Sequence, residues 1–587
     1  MRKILLMLTM LAAQVASATS LPALTTLSEQ SGFTRTGRYA EVIALCGAFA
    51  KRYPQAVKCQ DFGVTPEGRP MKVLVASQSG ALTPERARQM KLPVVLVQGG
   101  IHSGEIDGKD AGFWALRDLL EGKVLPGALK QQVLLFVPVF NIDGHERFGK
   151  WNRPNQRGPE EMGWRTTAQN YNLNREYVKA DAPEMQAMLR LVRAWDPLAT
   201  IDLHVTDGAK FEHDIGIIVQ PSNVGDEAMQ KVGTAFRDET VVFLARNGSL
   251  PLPFYPAFIE DDNPASGIRE GVPPPRLSHG YFWLKNRMGM LAETHSWKDY
   301  PARVKATRNV ILSVLEQMAQ HGQAWLKTAA EADARAAQLA GTPVVLAYKV
   351  TDESREIEFR GYAYTRTPSD ISGALMTRYD ESKPEIWKLK FRDKVTPQLT
   401  ITAPGAGYLV PPAHAALVKR ALHLHGVEYR VLKAAQQGGM EAFRATKTTF
   451  TPRPVEQRQR MTLEGAWKTE PRSVAAGALF VPIAQANARL AMSILEPTAP
   501  DSLASWGSFN IFFERREYME QYVAEDVARE MLAKDPALDA AFAKRIADDA
   551  EFAKSPTARL DFFYQRHSSW DDHFNLYPVF RVNQTPR

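Results

Sequence analysis

The chain has 587 residues, is 44% hydrophobic and 23% charged, and carries a formal net charge of +7. That is the composition of a chain with apolar cores, and it excludes a disordered or fibrous protein. The positive charge is scattered, with no basic block interleaved with aromatics, so no nucleic-acid partner is expected.

At the N-terminus, Arg2 and Lys3 precede an apolar run from Ile4 to Val15, and Ala16-Ser17-Ala18 supplies a small-x-small pattern. These are the parts of a secretory signal. Residues 1–18 are therefore expected to be a signal peptide, and the protein to be exported, periplasmic or secreted. The run is shorter than the roughly 20 apolar residues of a membrane span, and no later segment is expected to span. Cys46 and Cys59 suit an oxidising compartment, but sequence alone does not decide whether they pair.

A helix is expected from about 38 to 52, stopped near Pro54. A strand pair follows, Cys59–Val64 and Met71–Ser77, around the turn Thr65-Pro66-Glu67-Gly68. Pro93 to Val97 is a short apolar run ending in Gly99-Gly100, as expected of a strand buried on both faces. The pattern then alternates: helix 107–120, strand 133–139, helix 183–195, strand 200–203, helix 223–247, strand 289–293 and helix 302–327. Strands alternating with helices argue for an α/β fold around a mostly parallel mixed sheet, ending near residue 330. Residues 331–341 read as a continuing helix or linker. The remainder, 342–587, changes to mixed β and then α structure, with a helix inserted at Pro411–Gly426.

The chemistry gathers at strand ends. His102 and Glu105 lie three residues apart in a turn between a strand and a helix, where open α/β sheets place their sites. The H-x-x-E spacing alone is a weak signal. His204, after Ile201-Asp202-Leu203, and Glu293, after Met290-Leu291-Ala292, add two further strand ends bearing metal- or proton-competent groups.

In this order, with Thr65-Pro66-Glu67-Gly68-Arg69, Asn141-Ile142-Asp143-Gly144, Trp164-Arg165 and Asn174-Arg175, residues from about 40 to 325 resemble the zinc carboxypeptidase family typified by carboxypeptidase A. The resemblance implies a carboxypeptidase-like α/β/α catalytic domain over 19–330 and one zinc ion per chain, held by His102, Glu105 and His204. Zinc accepts such N/O ligands and keeps an open position for water. It further implies Glu293 as general base, Arg165 on the scissile carbonyl, and Asn174 and Arg175 on the terminal carboxylate of a peptide. Tyr281 is the candidate for the family's active-site tyrosine, and Arg269 and Arg276 are further groove candidates.

Two features depart from the family. Gly104 stands where pancreatic-type members carry Arg, as H-S-R-E, and Tyr281 is only 12 residues before Glu293. Phe211-Glu212-His213-Asp214 reads as a loop lining the groove. The C-terminal region resembles the accessory part of some exported bacterial members, in Leu495-Glu496-Pro497 and Asp501-Ser502-Leu503, and is expected to wall the groove. The leading expectation is C-terminal hydrolysis of peptides. A peptidoglycan stem-peptide hydrolase on the same zinc site, and a peptide-binding protein without catalysis, remain as alternatives.

Overall fold

The computed structural model describes residues 24–586, so the expected signal segment 1–18 lies outside the described residues. An eight-stranded mixed sheet forms the first half. In chain order its strands are β1 (Val57–Val64), β2 (Pro70–Ala76), β3 (Val94–Gly99), β4 (Val133–Val137), β5 (Ala199–Val205), β6 (Ile215–Gln220), β7 (Pro251–Leu252) and, after an outlying β8 (Ile268–Arg269), β9 (Met288–Thr294). The order across the sheet is β1-β2-β4-β3-β5-β9-β6-β7. The central strands β4, β3, β5 and β9 run parallel, flanked by antiparallel neighbours.

The apolar, largely β-branched runs of β3 and β4 are buried at every position, because helices cover both faces of a parallel sheet. Helices 107–120 and 227–246 pack on the long helix Tyr300–Ala336, while helices 39–52 and 183–195 pack beside β1. Asp299 caps the long helix through the Ala302 amide, and Pro301 opens its first turn. That helix runs to Ala336, through most of the stretch where helix or linker was left open. The short strand β6, Ile-Gly-Ile-Ile-Val-Gln, was not anticipated; it fills the sheet antiparallel to β9. Cys46 and Cys59 are joined, with Cα atoms 5.4 Å apart, tying helix 39–52 to β1.

The second half is β-rich. β10 (Pro343–Val350) pairs with β13 (Val395–Thr402), and between them β11 (Arg355–Pro368) and β12 (Leu375–Arg392) form a long hairpin. β12 also takes up β8 from the first half, pairing Phe391 with Ile268 and Arg392 with Arg269. A six-stranded sheet and helices, including Pro412–His425 and four between 521 and 564, complete the chain. Both halves contribute to one apolar core, in which Tyr281 and Trp283 lie with Tyr408, Leu422 and Leu490. No helix among the described residues is long and apolar enough to cross a membrane.

Candidate metal centre and cleft

β3 ends in Gly99-Gly100, and Gly100 takes φ +62°, which turns the chain out of the sheet. The turn that follows carries His102 and Glu105, closed by the Glu105 amide on the His102 carbonyl at 2.9 Å. On the neighbouring strand, Asp202 and His204 share one face of β5. In the register of β5 and β9, His204 lies beside Glu293. Three chain segments thus meet at the carboxyl ends of β3, β5 and β9.

The donors of His102, Glu105 and His204 all lie within 4.8 Å of one another, and all three residues are buried. His102 Nδ1 is 3.1 Å from Glu105 Oε1, and His204 Nδ1 is 2.9 Å from Oε2. The outer nitrogens are anchored. His102 Nε2 donates to Asn172 Oδ1 at 3.0 Å, and His204 Nε2 to Asp202 Oδ2 at 2.7 Å. Asn172 Oδ1 also receives the Asn174 amide, which marks it as an acceptor.

With both Nε2 atoms donating outward, both Nδ1 atoms present lone pairs to a carboxylate. Lone pairs and anionic oxygens at such distances require a cation between them, a proton or a metal. Outward carboxylate and amide partners of this kind orient metal-binding histidines, so the residues fit a zinc ion. The charge balance agrees. Burial works to raise the Glu105 carboxyl, but Arg153 and His102 outweigh it and hold it well below the usual range. Burial lowers His102, whereas for His204 the Asp202 and Glu105 carboxylates overcome burial and raise it.

Glu293 is 8% exposed, and its Oε2 has no hydrogen-bond partner among the described residues. Burial raises its carboxyl against the pull of His204, so it is a more basic carboxylate than one in water. Arg165 reaches the same place, Nη1 lying 3.3 Å from Glu105 Oε1. Its backbone carbonyl accepts from Asn141 Nδ2 at 3.0 Å. The neighbouring motifs are frame rather than chemistry: buried Asp143 accepts from Thr65 Oγ1 at 2.8 Å and from Arg69 Nη1 at 2.6 Å. Thr65-Pro66-Glu67-Gly68-Arg69 and Asn141-Ile142-Asp143-Gly144 therefore dock on each other.

A cavity of about 470 Å³ opens from the donors. His102, Glu105, His204, Glu293, Arg165, Asn174 and Arg175 all line it, so seven of the eight expected site residues share one space. Arg175 Nη1 donates to the Asn174 carbonyl at 2.8 Å, and Asn174 Oδ1 accepts the Ser278 amide at 2.9 Å. Burial, with Arg165 nearby, lowers the Arg175 guanidinium against the opposing pull of Glu456.

Tyr281, expected at the site, does not reach it. It is 1% exposed, its hydroxyl meets His425 Nδ1 at 2.8 Å, and it does not line the cavity. The short helix Ser278–Tyr281 turns it into the core between the two halves. Tyr255 lines the cavity instead, its phenol raised by burial and by Glu293. It sits in Pro253-Phe254-Tyr255-Pro256, which carries no signal of its own. Of the groove candidates, Arg269 lines the cavity and Arg276 pairs with Asp501 at 2.8 Å. In the Phe211–Asp214 loop, Phe211 and His213 are buried against Phe359 rather than facing the cavity.

Arg153 was not anticipated at all. Its Nη1 lies 3.0 Å from Glu105 Oε1, and its Nη2 donates to the Val205 carbonyl at 3.3 Å. A Cβ added at Gly104 would collide with the Arg153 stem and lie 2.9 Å from the Gly163 carbonyl. The missing arginine of the H-x-x-E turn is thus matched by one delivered from a distant loop.

Residues 42–213 match the family model described as zinc carboxypeptidase. Carboxypeptidase 2 of Trichophyton tonsurans is 25% identical over 459 residues, covering 75% of this chain and 78% of that protein. Its namesake from Trichophyton equinum has the same identity and coverage. Among solved structures, a metallo-carboxypeptidase from Burkholderia cenocepacia is similar at 19% identity and a TM-score of 0.35, over 47% of this chain and 68% of that one. The ordered motifs, the family model matched over residues 42–213 and the carboxypeptidases aligned over three quarters of the chain all liken it to the zinc carboxypeptidases.

Proposed function

We propose that the chain removes the C-terminal residue of a peptide, with His102, Glu105 and His204 holding one zinc ion and Glu293 acting as general base. The observation that carries this reading is the convergence of two outward-anchored Nδ1 atoms and a carboxylate beside a buried carboxylate with a free oxygen. Zinc bound there would supply Lewis acidity and bring its water towards a pKa of about 7.

The chain's own groups perform the rest. The free oxygen of Glu293 takes a proton from the attacking water and returns it to the leaving nitrogen. Arg165 donates to the scissile carbonyl as its oxygen gains charge. Arg175 offers the planar fork that suits a terminal carboxylate, and Asn174 assists from the adjacent position. The walls beyond, formed by Ile218, Leu291, Tyr255 and Glu270, receive the terminal side chain. The paired cysteines support export to an oxidising compartment.

A peptide library assayed with and without a chelator, for the parent and for Glu293→Gln, tests this directly. Release of C-terminal residues should require metal and fall about 10²- to 10⁴-fold in the variant, with zinc content unchanged. Release that survives in Glu293→Gln would overturn the assignment of the base. A parent that cleaves nothing would overturn the hydrolytic reading.

A further inference from the structure

The hairpin β11–β12 lies outside the catalytic sheet, yet it touches three segments that line the cavity. The segment 268–271, whose Arg269, Glu270 and Gly271 line the cavity, is hydrogen-bonded to β12, and the Glu270 amide donates to the Arg392 carbonyl at 2.9 Å. The segment 251–257, which contributes Tyr255 and Ala257, is held through Phe254, whose ring lies 4.4 Å from that of Phe391. The segment 205–214 contributes Val205 and Asp207. Its Glu212 amide donates to the Arg360 carbonyl at 3.0 Å, and the Glu212 carboxylate pairs with the Arg360 guanidinium at 2.9 Å.

Behind these contacts is an aromatic cluster built from both sources. Phe211, Leu252, Phe254 and Ile268 come from the catalytic half, and Phe359, Trp387, Leu389 and Phe391 from the hairpin. Near the middle of the hairpin the register breaks: Tyr362 faces Pro384 while Ala363 faces Asp380. The residues bulged out between them include Glu381, which pairs with Arg157 and Lys210 at 2.6 and 2.7 Å. Bulges re-aim side chains in this way.

None of these contacts reaches His102, Glu105, His204 or Glu293. All of them fix backbone or neighbours of residues that line the cavity. We propose that the β11–β12 hairpin sets the selectivity for the terminal residue by holding three segments of the cavity wall in place. The hairpin thereby acts as a positioning element, working through the 205–214, 251–257 and 268–271 segments rather than touching the reacting atoms. This rests on the peptide-hydrolysing reading above.

The test is the double variant Glu381→Ala/Arg360→Ala, which removes three ion pairs between the hairpin and the catalytic half while leaving the aromatic cluster intact. It is assayed on peptides differing only in their last residue. KM for the best peptide should rise roughly tenfold, the size of effect that one lost pocket contact has. Its advantage over the worst peptide should shrink by a similar factor, with kcat and zinc content little changed. Glu381→Gln, which keeps the shape and drops two of the ion pairs, is measured in parallel in case the double variant does not fold, and should move KM the same way. Zinc-loaded variants that keep the parent's KM and preferences overturn the proposal alone. A parent that cleaves no peptide overturns the hydrolytic reading and this inference together.

Discussion

The stem of Arg153 occupies the space beside Gly104 that a side chain at position 104 would fill, and its guanidinium ends on the Glu105 carboxylate. The glycine and the arginine are one device: removing the side chain from the turn admits the arginine from the loop. Arg153→Ala should weaken zinc binding about 10- to 100-fold, the range for lost partners of a metal ligand. Gly104→Ala should have the same effect by displacing Arg153, and the double variant should be no worse than either alone. Competition with a zinc chelator measures all three. Additive losses would mean that the two positions act separately.

Asp202 is expected to set the tautomer of His204 through its 2.7 Å hydrogen bond. Asp202→Ala leaves the imidazole free to turn or to protonate the wrong nitrogen. Zinc affinity should fall about 10- to 100-fold, with a smaller loss in Asp202→Asn, whose amide oxygen still accepts. Equal affinity in all three proteins would remove this role.

Arg303 is fully buried and donates to Asp107 Oδ2 at 3.0 Å, to the Lys298 carbonyl at 2.7 Å and to the Gly158 carbonyl at 2.8 Å. Asp107 also accepts from Thr294 Oγ1, joining the end of β9 to the helix that follows Glu105. Arg303→Ala strands a buried carboxylate and several carbonyls. It should destabilise the protein by about 3–5 kcal/mol in urea unfolding, and a loss below 1 kcal/mol would show that the network relaxes freely.

Glu184 lies 1% exposed near the start of helix 183–195, with Oε2 unpartnered, and burial pushes its carboxyl up from 4.5 to about 7. A raised acid contributes stability that is fully present below the unfolded value and is lost as pH rises through the folded one. Glu184→Gln should therefore match the parent near pH 4 and exceed it at pH 8 by about 1–3 kcal/mol. Melting curves at the two pH values check the sign, and a variant less stable at pH 8 would contradict it.

What was legible in the sequence was whatever depends on short-range pattern. The apolar runs of β3 and β4 announce buried strands, and the donors at strand ends announce a site, because position along a strand fixes which face a side chain takes. Arg153 and Tyr255 were hidden for the opposite reason. Both come from irregular loops, where no periodicity relates a residue to its neighbours in space, and only the folded chain brings them to Glu105 and Glu293. Tyr281 lies close to Glu293 in sequence, but that short spacing does not carry it to the cavity. Its hydroxyl is in fact consumed by His425, a residue of the other half.

That contact has a consequence for how the chain can be cut. Tyr281 and Lys285 both end on His425, and Lys285 also reaches Asn487. The seam between the halves is interior rather than surface, so a fragment stopping at residue 330 would carry bare core into water. Such a truncation would be sticky and poorly soluble, and a proteolytic nick in the turn at 337–342 would leave two pieces that stay clasped. The accessory half is less an appendage than the missing side of the enzyme's own interior.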